Sequence, residues 1–176
     1  MPFGIGFFAT AGAGAGGGAF ELISTQLITS STASVTFSSI PQTYKHLQIR
    51  YVYKPVSGNA TLQGRFNGDS TSAYNQHTLF GNGSSVGSNY STGSEISQLG
   101  YANSLTSYEG FGVIDILDYS SSSKNTTTRT FRGRLDEVRV ASGLWRNTAA
   151  VTSIFLNTDS STFAAGSRFS LYGIKG

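Results

Sequence analysis

From residue 20 onward, short runs of β-branched and aromatic residues alternate with clusters of Ser, Gly and Asn. That punctuation predicts strands joined by turns. Ten runs qualify: residues 20–29, 34–37, 46–53, 61–66, 76–80, 110–118, 127–132, 137–140, 151–157 and 168–174. The run 46–53 alternates cleanly. Leu47, Ile49, Tyr51 and Tyr53 face one way, and His46, Gln48 and Arg50 face the other, because successive strand side chains point to opposite faces. The run 110–118 is apolar on both faces, with Phe111, Val113 and Leu117 opposite Ile114 and Ile116. A strand with that pattern is expected to be central and covered on both sides. The run 151–157 shares it, with Ile154 and Leu156 opposite Val151 and Phe155.

Turn chemistry falls between the runs. Pro41 forces an extended or turn conformation on Ile40. Asn67-Gly68-Asp69 is a tight-turn signal at the end of a strand. Residues 81–94 are rich in Gly, Ser and Asn and are expected to form a long loop. No segment keeps a 3.6-residue period, and residues 145–153 could hold one helical turn at most. There is no internal repeat. The expected fold is therefore all-β: a single antiparallel β-sandwich over residues 20–176, jelly-roll-like or Greek key in its connections.

Residues 1–19 form a separate segment, an extended N-terminal arm. After Phe8 it contains only Ala, Thr and Gly, which have little side chain to bury and much backbone entropy to lose. The tip carries Phe3, Ile5, Phe7 and Phe8, apolar groups poorly suited to water. An apolar tip on a spacer predicts an anchor that docks into a partner protein; the other reading is a tip folded back onto its own domain. The first Lys is Lys45, and the apolar part is short and broken by Gly, so the segment lacks the pattern of a signal peptide. No run is long enough to span a bilayer as a helix. The expectation is a soluble protein that does not enter a membrane.

Composition narrows the chemistry. Only 12% of residues are charged, about half the usual share, while 27 Ser and 19 Thr supply hydroxyls. The surface must be neutral and hydroxyl-rich, which steers charged partners poorly. The net charge of +3 reflects a small basic excess and not the dense stripe of a nucleic-acid binder. The densest basic stretch, Arg129, Arg132, Arg134 and Arg139, contains Asp136 and Glu137 and predicts a strand whose alternate residues face solvent, with local ion pairs. With no Cys, disulfides and thiolate metal sites are excluded, which fits assembly in a reducing compartment.

Catalytic motifs fail on context. Gly12 to Gly17 matches G-x-G-x-x-G, but no strand precedes it and no helix follows. Gly83-Ser84-Ser85-Val86-Gly87 matches a nucleophile elbow, but both His46 and His77 precede Ser85 and no helix follows. Asn67, Asp69 and either Asp115 or Asp118 could line a calcium site if the fold gathered them, although Asn-Gly-Asp is more often a plain turn. The nine carboxylates do not cluster, so a glycosidase pair is not expected. Asp115, inside an apolar strand, is expected to pair with an Arg. The chain is expected to be no enzyme and to need no cofactor. The remaining resource is aromatic: Tyr74, Asn75, Gln76 and His77, with Asn89 and Tyr90, combine rings with amides. Tyr74, Asn75, His77, Asn89 and Tyr90 are candidate ligand contacts, as for a sugar; the alternative is that the rings cap the core.

Several stretches occur in one order: Phe37-Ser-Ser-Ile-Pro-Gln-Thr-Tyr44, His46-Leu-Gln-Ile-Arg50, Arg65-Phe-Asn-Gly-Asp69, Val113-Ile-Asp-Ile-Leu-Asp-Tyr119, Gly143-Leu-Trp-Arg146 and Ser167-Arg-Phe-Ser-Leu-Tyr-Gly-Ile-Lys175. Across residues 20–176 this pattern resembles small virion structural proteins of tailed, largely aquatic bacteriophages. The resemblance implies a β-sandwich accessory component of the virion, a capsid decoration, head-fibre or tail-fibre piece held through its arm. Its partners would be other virion proteins and further copies of itself, a trimer being a reasonable form. An alternative is a receptor- or carbohydrate-binding module at a tail-fibre tip, contacting a host surface glycan. No catalytic residue comes with the resemblance.

Overall fold

A computed structural model describes residues 18–104 and 109–176. They form twelve antiparallel strands in two sheets, and no helix occurs among them. The strands are β1 (Phe20–Leu27), β2 (Ser34–Phe37), β3 (His46–Tyr53), β4 (Asn59–Phe66), β5 (Tyr74–Gly81), β6 (Val86–Gly93), β7 (Ile96–Asn103), β8 (Gly110–Leu117), β9 (Thr126–Arg134), β10 (Glu137–Trp145), β11 (Ile154–Thr158) and β12 (Arg168–Ile174). The large sheet runs β1-β12-β3-β8-β9-β10-β5-β6, and the small one β2-β11-β4-β7. The expected all-β sandwich is therefore the fold. The tip residues Phe3, Ile5, Phe7 and Phe8 lie outside the described residues.

The core is what period-2 patterning dictates. Leu47, Ile49, Tyr51 and Tyr53 of β3 and Ile114 and Ile116 of β8 point inward from the large sheet. Leu62 and Phe66 of β4 and Ile154 and Leu156 of β11 meet them from the small sheet. Two tyrosines tie the layers together: Tyr51 donates its hydroxyl to the Leu99 carbonyl of β7, and Tyr53 donates to the Ala60 carbonyl of β4 at 2.8 Å. Burial pushes both phenols well above their ordinary pKa, as expected when ionisation would place a charge in an apolar interior. Phe163 packs edge-on against Tyr53 at 5.8 Å and closes one end of the core. Close approach of the layers explains one glycine: a Cβ on Gly110 would sit 2.3 Å from the Tyr101 carbonyl oxygen.

Three expectations change. Residues 81–94 are not a loop: β6 is the edge partner of β5, from Tyr74↔Gly93 to Gly81↔Val86. Its turn is short and ordered by Asn82, whose side-chain oxygen accepts the Ser85 amide at 2.8 Å and the Ser85 hydroxyl at 3.0 Å. Residues 145–153 hold no helical turn; β10 runs through Trp145 and irregular chain follows. Strand β8 is central, between β3 and β9, but it is covered on one side only among the described residues. Phe111 on its outer face is 50% exposed, while Ile114 on its inner face is 2% exposed.

Candidate functional site

The outer face of the large sheet collects the apolar side chains that the core does not use. Its registers align two neighbouring rows across six strands. One runs Val52, Phe111, Gly133, Val138, Gly81, Val86, and the next runs Arg50, Val113, Phe131, Val140, Leu79, Ser88. Val52, Leu79, Val86, Phe111, Phe131, Val138 and Val140 are between 37% and 88% exposed. Shallow depressions lie between them, one lined by Leu79, Val86, Val138 and Val140 and another by Val52, Phe111 and Phe131. Arg50 lies at one edge of this surface and lines the second depression. Its guanidinium lies over the Tyr172 ring at 4.7 Å and the Phe20 ring at 5.0 Å, a favourable cation–π arrangement.

The third row is polar: Gln48, Asp115, Arg129, Ser142, His77 and Tyr90. Asp115 accepts from the Gln48 amide at 2.8 Å and pairs with Arg129 at 3.3 Å. At the edge, the His77 and Tyr90 rings stand 4.6 Å apart, and the Asn75 amide donates to the Tyr90 hydroxyl at 2.6 Å. Three of the five candidate ligand contacts therefore share this face. The other two do not. Tyr74 is fully buried on the inner face, where its hydroxyl accepts the Phe66 amide at 3.0 Å, and Asn89 lies opposite Thr78, whose side chain points inward. The reason is parity: adjacent strand residues cannot share a face.

The carboxylates weighed for calcium are held apart by different partners. Asp118 pairs with Lys124 at 3.2 Å and Lys45 at 3.5 Å, and Asp115 pairs with Arg129. Asp69 closes the Asn-Gly-Asp turn, in which Asn67 and Gly68 both have positive φ, 52° and 70°. One Asp69 oxygen accepts from the Thr71 amide at 2.9 Å and the Thr71 hydroxyl at 2.6 Å; the other accepts the Trp145 indole at 2.8 Å. No group of three or more His, Asp or Glu among the described residues could hold a metal. Ser85 sits in the β5–β6 turn, bonded to Asn82, and not on an elbow.

The Asp69 bonds hold its carboxyl below the ordinary value, the Thr71 hydroxyl contributing most, then the Thr71 amide and Trp145. A depressed folded pKa gives stability that is present above the unfolded value, near ~3.9, and lost as pH falls through the lower folded one. Asp69→Asn should therefore flatten the loss of stability below about pH 4. The difference should be about 1 kcal/mol at most, because the carboxylate is partly solvated. Urea denaturation at pH 7 and pH 3 measures it, and an unchanged pH slope in the variant would refute the assignment.

In the basic stretch alternate residues face solvent and the ion pairs are local, as expected. Arg129 faces solvent, but Arg132 and Arg139 point inward beneath β7, where they flank Glu137. Positions 129 and 132 are an odd number of residues apart and must face opposite ways. Sequence reasoning missed this buried group, although that spacing carried the signal.

Compared with family models, curated proteins and solved structures, the chain matches none of them.

Proposed function

We propose that the protein is a non-catalytic β-sandwich component of a bacteriophage virion, which packs against neighbouring protein through the outer face of its large sheet. The observation that carries this reading is the pair of apolar rows across β3, β8, β9, β10, β5 and β6, with seven of their side chains at least one-third exposed. Contiguous apolar patches of this kind mark protein contacts. A hydroxyl-rich, charge-poor remainder suits a lattice of neighbours better than a charged substrate.

Strand order supports the same reading by analogy. We take β1-β12-β3-β8 facing β2-β11-β4-β7 as a jelly roll, with hairpins β5–β6 and β9–β10 inserted to widen one sheet. Jelly rolls recur in capsid and lectin domains, though a fold alone does not assign function. Two of the stretches that resemble phage proteins also meet in space, where Asp69 accepts the Trp145 indole N–H at 2.8 Å. They serve the fold and not a reaction. In this proposal the N-terminal arm, through Phe3, Ile5, Phe7 and Phe8, fixes the domain to the particle.

Mass spectrometry of virions purified from the phage that carries this sequence should find the chain in every preparation, and its absence would sink the proposal. A chain lacking residues 1–19 should fold but fail to attach, since the core among the described residues begins at Ile28. A second reading, glycan binding, is favoured by the His77–Tyr90 ring pair beside Asn75. It requires saccharide binding by the folded chain that Tyr90→Ala abolishes.

A further inference from the structure

We infer that the two apolar rows of the large sheet are the contact between two copies of this chain. The inference rests on reading that face as a protein contact, and is independent of whether the protein sits in a virion.

Size is the first argument. The exposed parts of Val52, Leu79, Val86, Phe111, Phe131, Val138 and Val140, with Leu135 beside them in the β9–β10 turn, amount to on the order of 800 Å². That is at or above the largest apolar patch of an ordinary monomer and comparable to what each partner gives to a standard protein interface. It is far more than a short peptide or a sugar ring covers.

Shape is the second. The Phe111 ring lies across Gly133, where a Cβ would come within 2.8 Å of it. One of the two phenylalanines of the patch is thus laid along the sheet, as suits a surface that packs face to face with another sheet at about 10 Å.

Charge is the third. The rows themselves carry only Arg50, whose guanidinium lies over Tyr172 and Phe20, and Arg168 of β12 stands beside Val52 at the same end. The polar row along one border holds a closed pair of opposite sign, Asp115 with Arg129 at 3.3 Å. That border has no net sign for an acidic or basic partner to answer. A two-fold axis parallel to the strands carries the Arg50 and Arg168 end of one copy away from the same end of the other, so a second copy meets no wall of like charge. Self-complementarity of this kind is what an isologous contact requires.

Strand β8 gives the fourth argument. Its sequence is apolar on both faces, the pattern of a strand covered on both sides. Within one copy the cover on the outer side is missing among the described residues. A second sheet supplies it.

The test is sedimentation of the full chain at about 100 µM, where a micromolar contact is close to saturated. A dimer is expected. Val140→Glu and Phe131→Glu each place a charge in the buried contact, and should weaken dimerisation by about 100-fold or more. Both positions are half-exposed in one copy, so far-UV circular dichroism and the melting temperature of the monomer should stay as they were. A full chain that remains monomeric at that concentration overturns the inference, and so does a dimer that survives both substitutions. A full chain that is monomeric while a chain lacking residues 1–17 dimerises also overturns it, because the chain's own N-terminal segment would then be the occupant. Presence in virions with a monomer in solution would defeat this inference alone; a dimer absent from virions would defeat the particle reading alone.

Discussion

Trp145→Ala should be the most damaging single truncation in the molecule, costing about 3–5 kcal/mol and lowering the melting temperature by roughly 6–20 °C for a domain of this size. The indole is 1% exposed and joins three separate parts of the chain. Its ring stacks on Tyr74 of β5 at 6.3 Å and meets Phe66 of β4 edge-on at 5.6 Å. Its N–H donates to Asp69 in the turn that follows β4. Alanine there leaves a void between the sheets and removes the indole that ties the turn to β10. Trp145→Phe keeps much of the packing and loses the hydrogen bond, so its cost should be smaller, about 1–2 kcal/mol. Calorimetry on the three proteins checks the order. A fall of less than about 3 °C for the alanine variant would mean that the latch does not matter to stability.

The strands legible in the sequence were those whose own side chains divide between core and solvent. β3, β2 and β12 have the expected bounds, because alternation and flanking turn residues mark them. β6 gave no such signal. It is an edge strand with seven residues from Val86 to Thr92 largely bathed in solvent, so nothing selects apolar residues at alternate positions, and its Gly and Ser content imitates a loop. β7 was hidden by its irregularity. Ser97, Gln98 and Leu99 stand opposite the single residue Gln63 as the register passes from Gly64↔Ile96 to Leu62↔Gly100, and Gln98 has φ of 66°. A bulge resets which side chains face inward, and a period-2 search fails across it.

The candidate site was half legible. Asn75, His77 and Tyr90 do share a face, whereas Tyr74 and Asn89 could have been separated from them by counting parity alone. The two-sided pattern of β8 predicted cover on both faces, and the outer cover is missing among the described residues. What the pattern could not give is the neighbour set, because cross-strand order places Val52, Phe131, Val138 and Leu79 side by side from strands distant in sequence. The same limit concealed the Arg cluster, whose meaning depends on β7 lying above it.

That cluster supports the second large effect. Glu137→Gln should destabilise the protein by about 3–5 kcal/mol, the range for removing one partner from a buried ion pair. Glu137 pairs with Arg132 at 3.4 Å and Arg139 at 3.0 Å, and the three side chains are only 3% to 11% exposed. Burial and the nearby Arg139 already pull Arg132 down to about 10, so the site is strained by excess positive charge even with the carboxylate in place. The other acceptor is neutral: Gln98 takes a hydrogen bond from Arg132 at 2.9 Å and from Arg139 at 3.0 Å. Its left-handed backbone, which costs on the order of 1–3 kcal/mol, is what aims the amide there. Glutamine at 137 leaves two buried guanidinium groups facing only neutral oxygens. Adding Arg132→Met removes the deeper charge and should restore most of the loss, since Arg139 can lean out over Phe80, on which it already stacks at 4.6 Å. A double-mutant cycle by chemical denaturation isolates the coupling. If the two losses simply add, Glu137 acts independently of Arg132 and the buried triad is not what holds β9 and β10 under β7.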